Sequence, residues 1–254
     1  MIFDSHAHYD DKQFDQDRDQ LLSSMKSNHI TKIVNIGASI DTTRKTLSLA
    51  DAYDFIYAAV GVHPSEVDCL NEESFGWLKV QTGHPKAVAV GEIGLDYYWE
   101  KDPARQEQQK YWFLRQLSLA RETKLPVIIH SRDAAEDTME LLKQEHGIHG
   151  VIHCFSYSKE LAQEYVKMGY YIGVGGVVTF KNAKKLKETV KAIPLERIVI
   201  ETDCPYLAPE PYRGKRNQSL YLPYVIEAIA QIKDCTLQEV EAVTFRNAEE
   251  LYGF

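Results

Sequence analysis

Eight short apolar runs, each followed by a stretch of helical spacing, restrict the fold of this chain more than any other feature. Strands are expected at the N-terminus, where Ile2-Phe3 runs into Asp4-Ser5-His6-Ala7-His8, and at 32–36, 56–60, 87–90, 127–129, 150–152, 170–174 and 197–200. Helices are expected at 15–28, 41–53, 72–82, 103–123, 134–145, 159–168 and 183–192, with two closing helices at 222–232 and 237–252. Asp41 or Thr42 suits an N-cap, Pro103 a first turn, and Gly147, Gly169 and Pro194 follow helix ends. A strand that is always followed by a helix returns to its sheet in parallel, and eight such units in 254 residues match a (β/α)8 TIM barrel. No linker or shift of composition interrupts the rhythm, so residues 1–254 read as a single domain. An open doubly wound sheet is the alternative.

Barrels of this kind carry their chemistry at the C-terminal ends of the strands, so the residue that closes each apolar run matters. His6 and His8 close the first strand on one face, because successive side chains alternate. His63 closes the third, Glu92 the fourth, His130 the fifth, His153 the sixth and Asp203 the eighth. Chance would have to end six separate strands in a metal-competent group. The remaining histidines, His29, His84, His146 and His149, fall at helix ends or in loops before strands and read as structural. So many imidazoles and carboxylates exceed the needs of one tetrahedral ion and suit two divalent metal ions. Glu92 is expected to bridge them, and Asp203 to hold the first ion and take a proton from the attacking water, which makes these two the catalytic pair. Nitrogen and oxygen donors without a thiolate fit zinc, manganese, nickel or magnesium.

Cys69, Cys154, Cys204 and Cys235 show no CxxC spacing, the N-terminus has no signal-like pattern, and no apolar run is long enough to span a bilayer. Reduced thiols and a cytoplasmic location, away from membranes, are expected. Cys154 and Cys204 adjoin His153 and Asp203, so a thiol nucleophile is an alternative, although small buried cysteines behind strand ends are common. With 29 basic and 37 acidic residues the net charge is −8, which argues against a pure DNA-binding module and leaves any polyanion to local groups. Arg213, Lys215 and Arg216, just after Asp203, and Arg132, just after His130, are suited to a phosphate backbone; a solvated loop is the alternative. Tyr97, Tyr98, Trp99 and Phe155 lie past the fourth and sixth strands, where they stack on bases or merely wall the pocket.

These residues resemble the TatD-type metal-dependent deoxyribonuclease family, within the barrel metallohydrolases. The resemblance rests on Asp4-Ser5-His6-Ala7-His8, Gly61-Val62-His63-Pro64, Gly91-Glu92-Ile93-Gly94-Leu95-Asp96-Tyr97, Val151-Ile152-His153-Cys154-Phe155-Ser156, Glu201-Thr202-Asp203-Cys204-Pro205-Tyr206-Leu207-Ala208-Pro209 and Arg213-Gly214-Lys215-Arg216-Asn217, and covers nearly the whole chain. It implies His6, His8, Glu92, His130, His153 and Asp203 as metal ligands and His63 as a group near the substrate phosphate. Where the family often continues with Glu-Pro, this chain has Gln218-Ser219. Family members vary in substrate, so membership implies a hydrolase more firmly than a nuclease. The expected activity is exonucleolytic cleavage of DNA, at single strands or ends, by a two-metal-activated water. The alternatives are a two-metal hydrolase of a small amide, lactone or ester, and a non-catalytic metal-binding scaffold.

Overall fold

Ile2–Ala7 (β1) is buried at every position, as a parallel strand covered on both faces must be. The computed structural model describes all 254 residues. The other strands are Ile30–Ile36 (β2), Ile56–Val60 (β3), Ala87–Asp96 (β4), Val127–Arg132 (β5), Gly150–Ile152 (β6), Tyr171–Val174 (β7) and Ile198–Ile200 (β8). They form one sheet in the order β1 to β8, alternating with helices, and the fold is the (β/α)8 barrel. The helices are Arg18–Ser23 (α1), Ile40–Ala52 (α2), Glu72–Gln81 (α3), Pro103–Thr123 (α4), Ala135–Gln144 (α5), Lys159–Lys167 (α6), Lys184–Ala192 (α7), Leu222–Lys233 (α8) and Leu237–Tyr252 (α9). None is long and apolar enough to cross a membrane.

The chain divides into two compact units, Met1–Asn35 with Cys154–Phe254, and Ile36–His153. In the first, α9 starts at Thr236, whose hydroxyl accepts from Glu239 N at 3.1 Å. Its Tyr252 ring lies 5.7 Å from that of Phe3 on β1. Ala7 bridges in parallel to Cys204, just past β8. In the second unit, β3 through β6 pair in parallel. Two buried glutamines on α4 hold the strand ends that carry the site: Gln116 accepts from Val62 N at 2.8 Å, and Gln109 accepts from Asp96 N at 3.0 Å.

Several element ends differ from the sequence pattern, β5 running on past His130 to Arg132 and β2 starting at Ile30, and three differences have a visible cause. The helix expected at 15–28 is only the six residues of α1, flanked by 3-10 turns at Lys12–Phe14 and Lys26–Asn28. Short polar side chains compete for its carbonyls: Ser24 Oγ donates to Leu21 O, and Ser27 Oγ and Asn28 Nδ2 donate to Ser24 O. Second, α2 is capped by Ser39, not Asp41 or Thr42, in a reciprocal box with Thr42. Third, β4 runs on to Asp96 because Gly91 and Gly94 are not breakers. A Cβ on Gly94 would run into the carbonyl of His130, and one on Gly91 would lie 2.6 Å from Ile128 Cβ, so these glycines let β5 approach closely.

Candidate metal centre

Alternation along β1 puts Asp4, His6 and His8 on one face. His6 Nε2 and His8 Nε2 stand 3.1 Å apart, and each is 3.5 Å from Asp203 Oδ1. Bonds of about 2.0–2.2 Å to one ion at tetrahedral or octahedral angles place donor atoms roughly 3–3.6 Å apart. These three donors therefore fit a divalent ion in number, chemistry and spacing. Asp203 follows β8 with φ 55°, a left-handed conformation that is sparsely populated outside glycine and concentrates at functional sites.

In the second unit, imidazoles converge on a single carboxylate oxygen. Glu92 Oε1 lies 2.8 Å from both His130 Nδ1 and His153 Nε2, and 3.7 Å from His63 Nε2. Burial favours the neutral form of Glu92, but the His153 and His63 rings and the bonds from His130 and His153 outweigh it, holding the carboxyl well below its usual range. Burial likewise favours neutral His130, and its bonds to Asp96 and Glu92 overcome that and raise its affinity for a proton. Asp96 Oδ2 takes the far nitrogen, His130 Nε2, at 3.1 Å, which fixes the ring as outer carboxylates do for metal-ligating histidines. His63 differs. Its Nδ1 accepts from Ser65 N at 3.1 Å, so the neutral ring carries its proton on Nε2, and burial, reinforced by His130, pushes its pKa down to about 3. A neutral His63 thus presents a hydrogen-bond donor.

Two further carboxylates lie in the quoted motifs without a role assigned to them: Asp96 falls in register with Glu92, and Asp4 with His6. Asp4 is fully buried. It accepts from Thr202 N and Oγ1 at 3.0 and 2.7 Å and from Ser219 Oγ at 2.6 Å. Burial pushes its pKa up to about 7 against those bonds. Ser219, at the departure from the family's Glu-Pro, also donates its backbone N–H to Tyr9 Oη at 2.9 Å, which proline lacks the hydrogen to do. Glu201, which directly follows the eighth apolar run, accepts from Cys154 N through Oε1 at 2.5 Å, and a Cβ on Gly173 would overlap its carboxylate.

The expected substrate-side groups separate. Arg216 is held in a two-pronged pair with Asp17, at 2.7 and 2.6 Å, and its guanidinium covers the Phe14 ring. Arg213 and Lys215 are exposed. Arg132 lies over the Tyr98 ring at 3.9 Å. Phe155 is buried against Tyr165, while Tyr97 donates to Asp137 at 2.7 Å. Cys204 is fully buried, and burial next to Asp4 pushes its thiol up, which suppresses the thiolate a nucleophile needs.

A family profile described as TatD related DNase matches residues 3–253. YabD of Bacillus subtilis (strain 168), an uncharacterized metal-dependent hydrolase, is 46% identical over 254 residues, covering 99% of each chain. TatD of Cronobacter sakazakii, a 3'-5' ssDNA/RNA exonuclease, is 31% identical over 259 residues, covering 99% of this chain and 97% of its own. The crystal structure of YjjV, a TatD homolog from Escherichia coli K12, matches with TM-score 0.92 at 30% identity, covering 100% of this chain and 98% of its own. The carboxylate and imidazole donors gathered in each unit are those such a hydrolase needs, and this chain belongs to the TatD-related DNase family of metal-dependent hydrolases.

Proposed function

We propose that the protein is a deoxyribonuclease that removes nucleotides from single strands or ends of DNA. The observation that carries the reading is the pair of donor clusters, His6, His8 and Asp203 in one unit and Glu92 with His63, His130 and His153 around it in the other, combined with a neutral His63 that offers an N–H. Each cluster would hold one divalent ion, which when bound supplies polarisation of a phosphoryl oxygen and a water acidified toward neutral pH. The chain's own residues do the rest. Asp203 accepts the proton of the attacking water. Glu92, kept ionised by its imidazoles, supplies negative charge, and Asp96 fixes the His130 ring. His63 Nε2 donates to a phosphate oxygen, and Arg213, Lys215 and Arg132 meet neighbouring phosphates. Similarity to the Cronobacter sakazakii exonuclease supports nucleic acid as substrate.

The test is metal-reconstituted protein offered end-labelled single-stranded DNA beside a panel of amides and lactones. Stepwise shortening of the DNA, with the panel untouched, is expected. Turnover confined to the amides or lactones would replace the nuclease reading with a small-molecule hydrolase, and turnover of neither would leave the metal-binding scaffold.

A further inference from the structure

One carboxylate of the second unit faces two ways. Asp96 Oδ2 bonds to His130 Nε2, whereas Asp96 Oδ1 accepts from the backbone N–H groups of Tyr98 and Trp99, at 3.0 Å each. The turn that carries the two rings is thereby tied to the histidine of the donor cluster. Tyr98 and Trp99 meet edge to face at 4.8 Å, and the Arg132 guanidinium lies over Tyr98 at 3.9 Å and 5.6 Å from the Trp99 ring. Trp99 is nonetheless 72% exposed. An indole left in water gives up most of the burial that tryptophan ordinarily gains on folding.

Trp99 also walls a cleft shared with Pro64, Val67, Asp96, Glu100 and Arg105. Pro64 follows His63 directly, so the cleft opens beside the same cluster. Its charged groups are two carboxylates, Asp96 and Glu100, and one guanidinium, beside the neutral Ser65 and Gln109. Arg105, its one cation, is already engaged by Glu100 at 2.6 Å and Asp68 at 2.7 Å. A phosphate would meet Asp96 and Glu100 as like charges, whereas a neutral flat ring gains an indole face, apolar walls and carboxylate oxygens that accept from exocyclic amino groups.

We infer that this cleft is a nucleobase subsite, in which Trp99 stacks on a base of the strand next to the scissile phosphate, with Asp96 as the residue that positions it. The inference rests on the nuclease reading, and its test separates the two. Deoxyadenosine has no phosphodiester to cleave. Titrated into the metal-loaded protein, it is expected to quench tryptophan fluorescence saturably, and Trp99→Leu to remove that quench while Trp77 and Trp112 still emit. A single-stranded oligonucleotide is expected to show a KM about tenfold lower than the same strand with abasic terminal nucleotides. Trp99→Ala should erase the difference and Trp99→Phe retain most of it, with far-UV circular dichroism verifying the fold of each variant. Absence of the quench, its persistence in Trp99→Leu, or equal KM values for both strands in the unaltered protein would overturn the subsite even if DNA is cleaved. A quench that depends on Trp99 in a protein that cleaves no DNA would uphold the base site and overturn the nuclease reading.

Discussion

Glu92 works against its own burial: it is 4% exposed, yet the imidazoles around it keep it ionised. Glu92→Gln keeps the shape but removes the charge that balances a cation. Because losing even a hydrogen-bonding partner of a ligand costs about 10–100-fold, turnover is expected to fall by more than about a hundredfold. Metal content read by mass spectrometry then distinguishes two cases. A loss of one ion per chain means that Glu92 serves only its own cluster, and a fall below one ion means that it is shared, as the sequence pattern expects. Unchanged metal content and turnover would remove Glu92 from the centre. Ser219 is a residue of a different kind, donating to the fully buried Asp4 at 2.6 Å. Ser219→Ala leaves a buried carboxyl short of a donor and should lower stability by about 2 kcal/mol, read as a lower urea midpoint at constant slope. An unshifted midpoint would mean that Thr202 satisfies Asp4 unaided.

The loop after β8 shows what an element can reveal about charges that look equivalent in sequence. Arg213, Lys215 and Arg216 share one run, but Arg216 bonds Asp17 at 2.6 Å and Gln13 O at 2.8 Å, while Arg213 and Lys215 are exposed without a carboxylate partner. Each phosphate contact to a single strand contributes about 0.7 to the slope of log K against log salt. Replacing Arg213 and Lys215 together by Ala should therefore flatten the slope for oligonucleotide binding by about 1.4. Arg216→Ala should instead lower the melting temperature and leave the slope near its original value; a flattened slope there would show that Arg216 leaves Asp17 for DNA. Asp17 lies about 200 positions from Arg216, and no local pattern announces such a pair. The same limit governs what was legible elsewhere. Strand–helix alternation gave the barrel, and β3, β6, α4 and α9 begin and end where periodicity places them, since apolar spacing and caps are local. The sequence pattern ends β4 early because a glycine required by a neighbouring strand looks the same as one required by a turn. The histidines, Glu92 and Asp203 stand out in the sequence as polar groups that close apolar runs, although Glu92 and His130 lie inside β4 and β5, whereas Asp4 and Asp96 take their meaning from the hydroxyls and the ring they face.

At the scale of the whole molecule, the question is whether bound metal holds the fold or only equips it. Small metal-dependent domains are unfolded without their ion because they lack an apolar interior, but a chain near this length buries about 70–75% of the surface its unfolded form exposes. Each unit has its own core: Phe3, Ile33, Val199 and Ile229 are buried in the first, and Ile56, Val90, Phe113 and Ile129 in the second. The donors are also tied to other side chains, His130 to Asp96 and Glu92, and His153 to Glu92. Chelation is therefore expected to abolish turnover and leave the far-UV circular dichroism at 25 °C nearly unchanged. Stability should still respond, because an ion present at about a hundred times its Kd adds about 2.7 kcal/mol, and each kcal/mol is worth about 2–4 °C in a chain of this size. The melting temperature should drop by about 5–10 °C for each ion removed, in a transition that stays cooperative. Adding back zinc, manganese, nickel or magnesium separately should restore turnover with the ion the donors prefer, and the same ion should give the largest recovery in melting temperature. Loss of the helical signal on chelation at 25 °C would mean that the metal is part of the fold, and turnover that survives complete removal of metal would mean that it is no part of the chemistry.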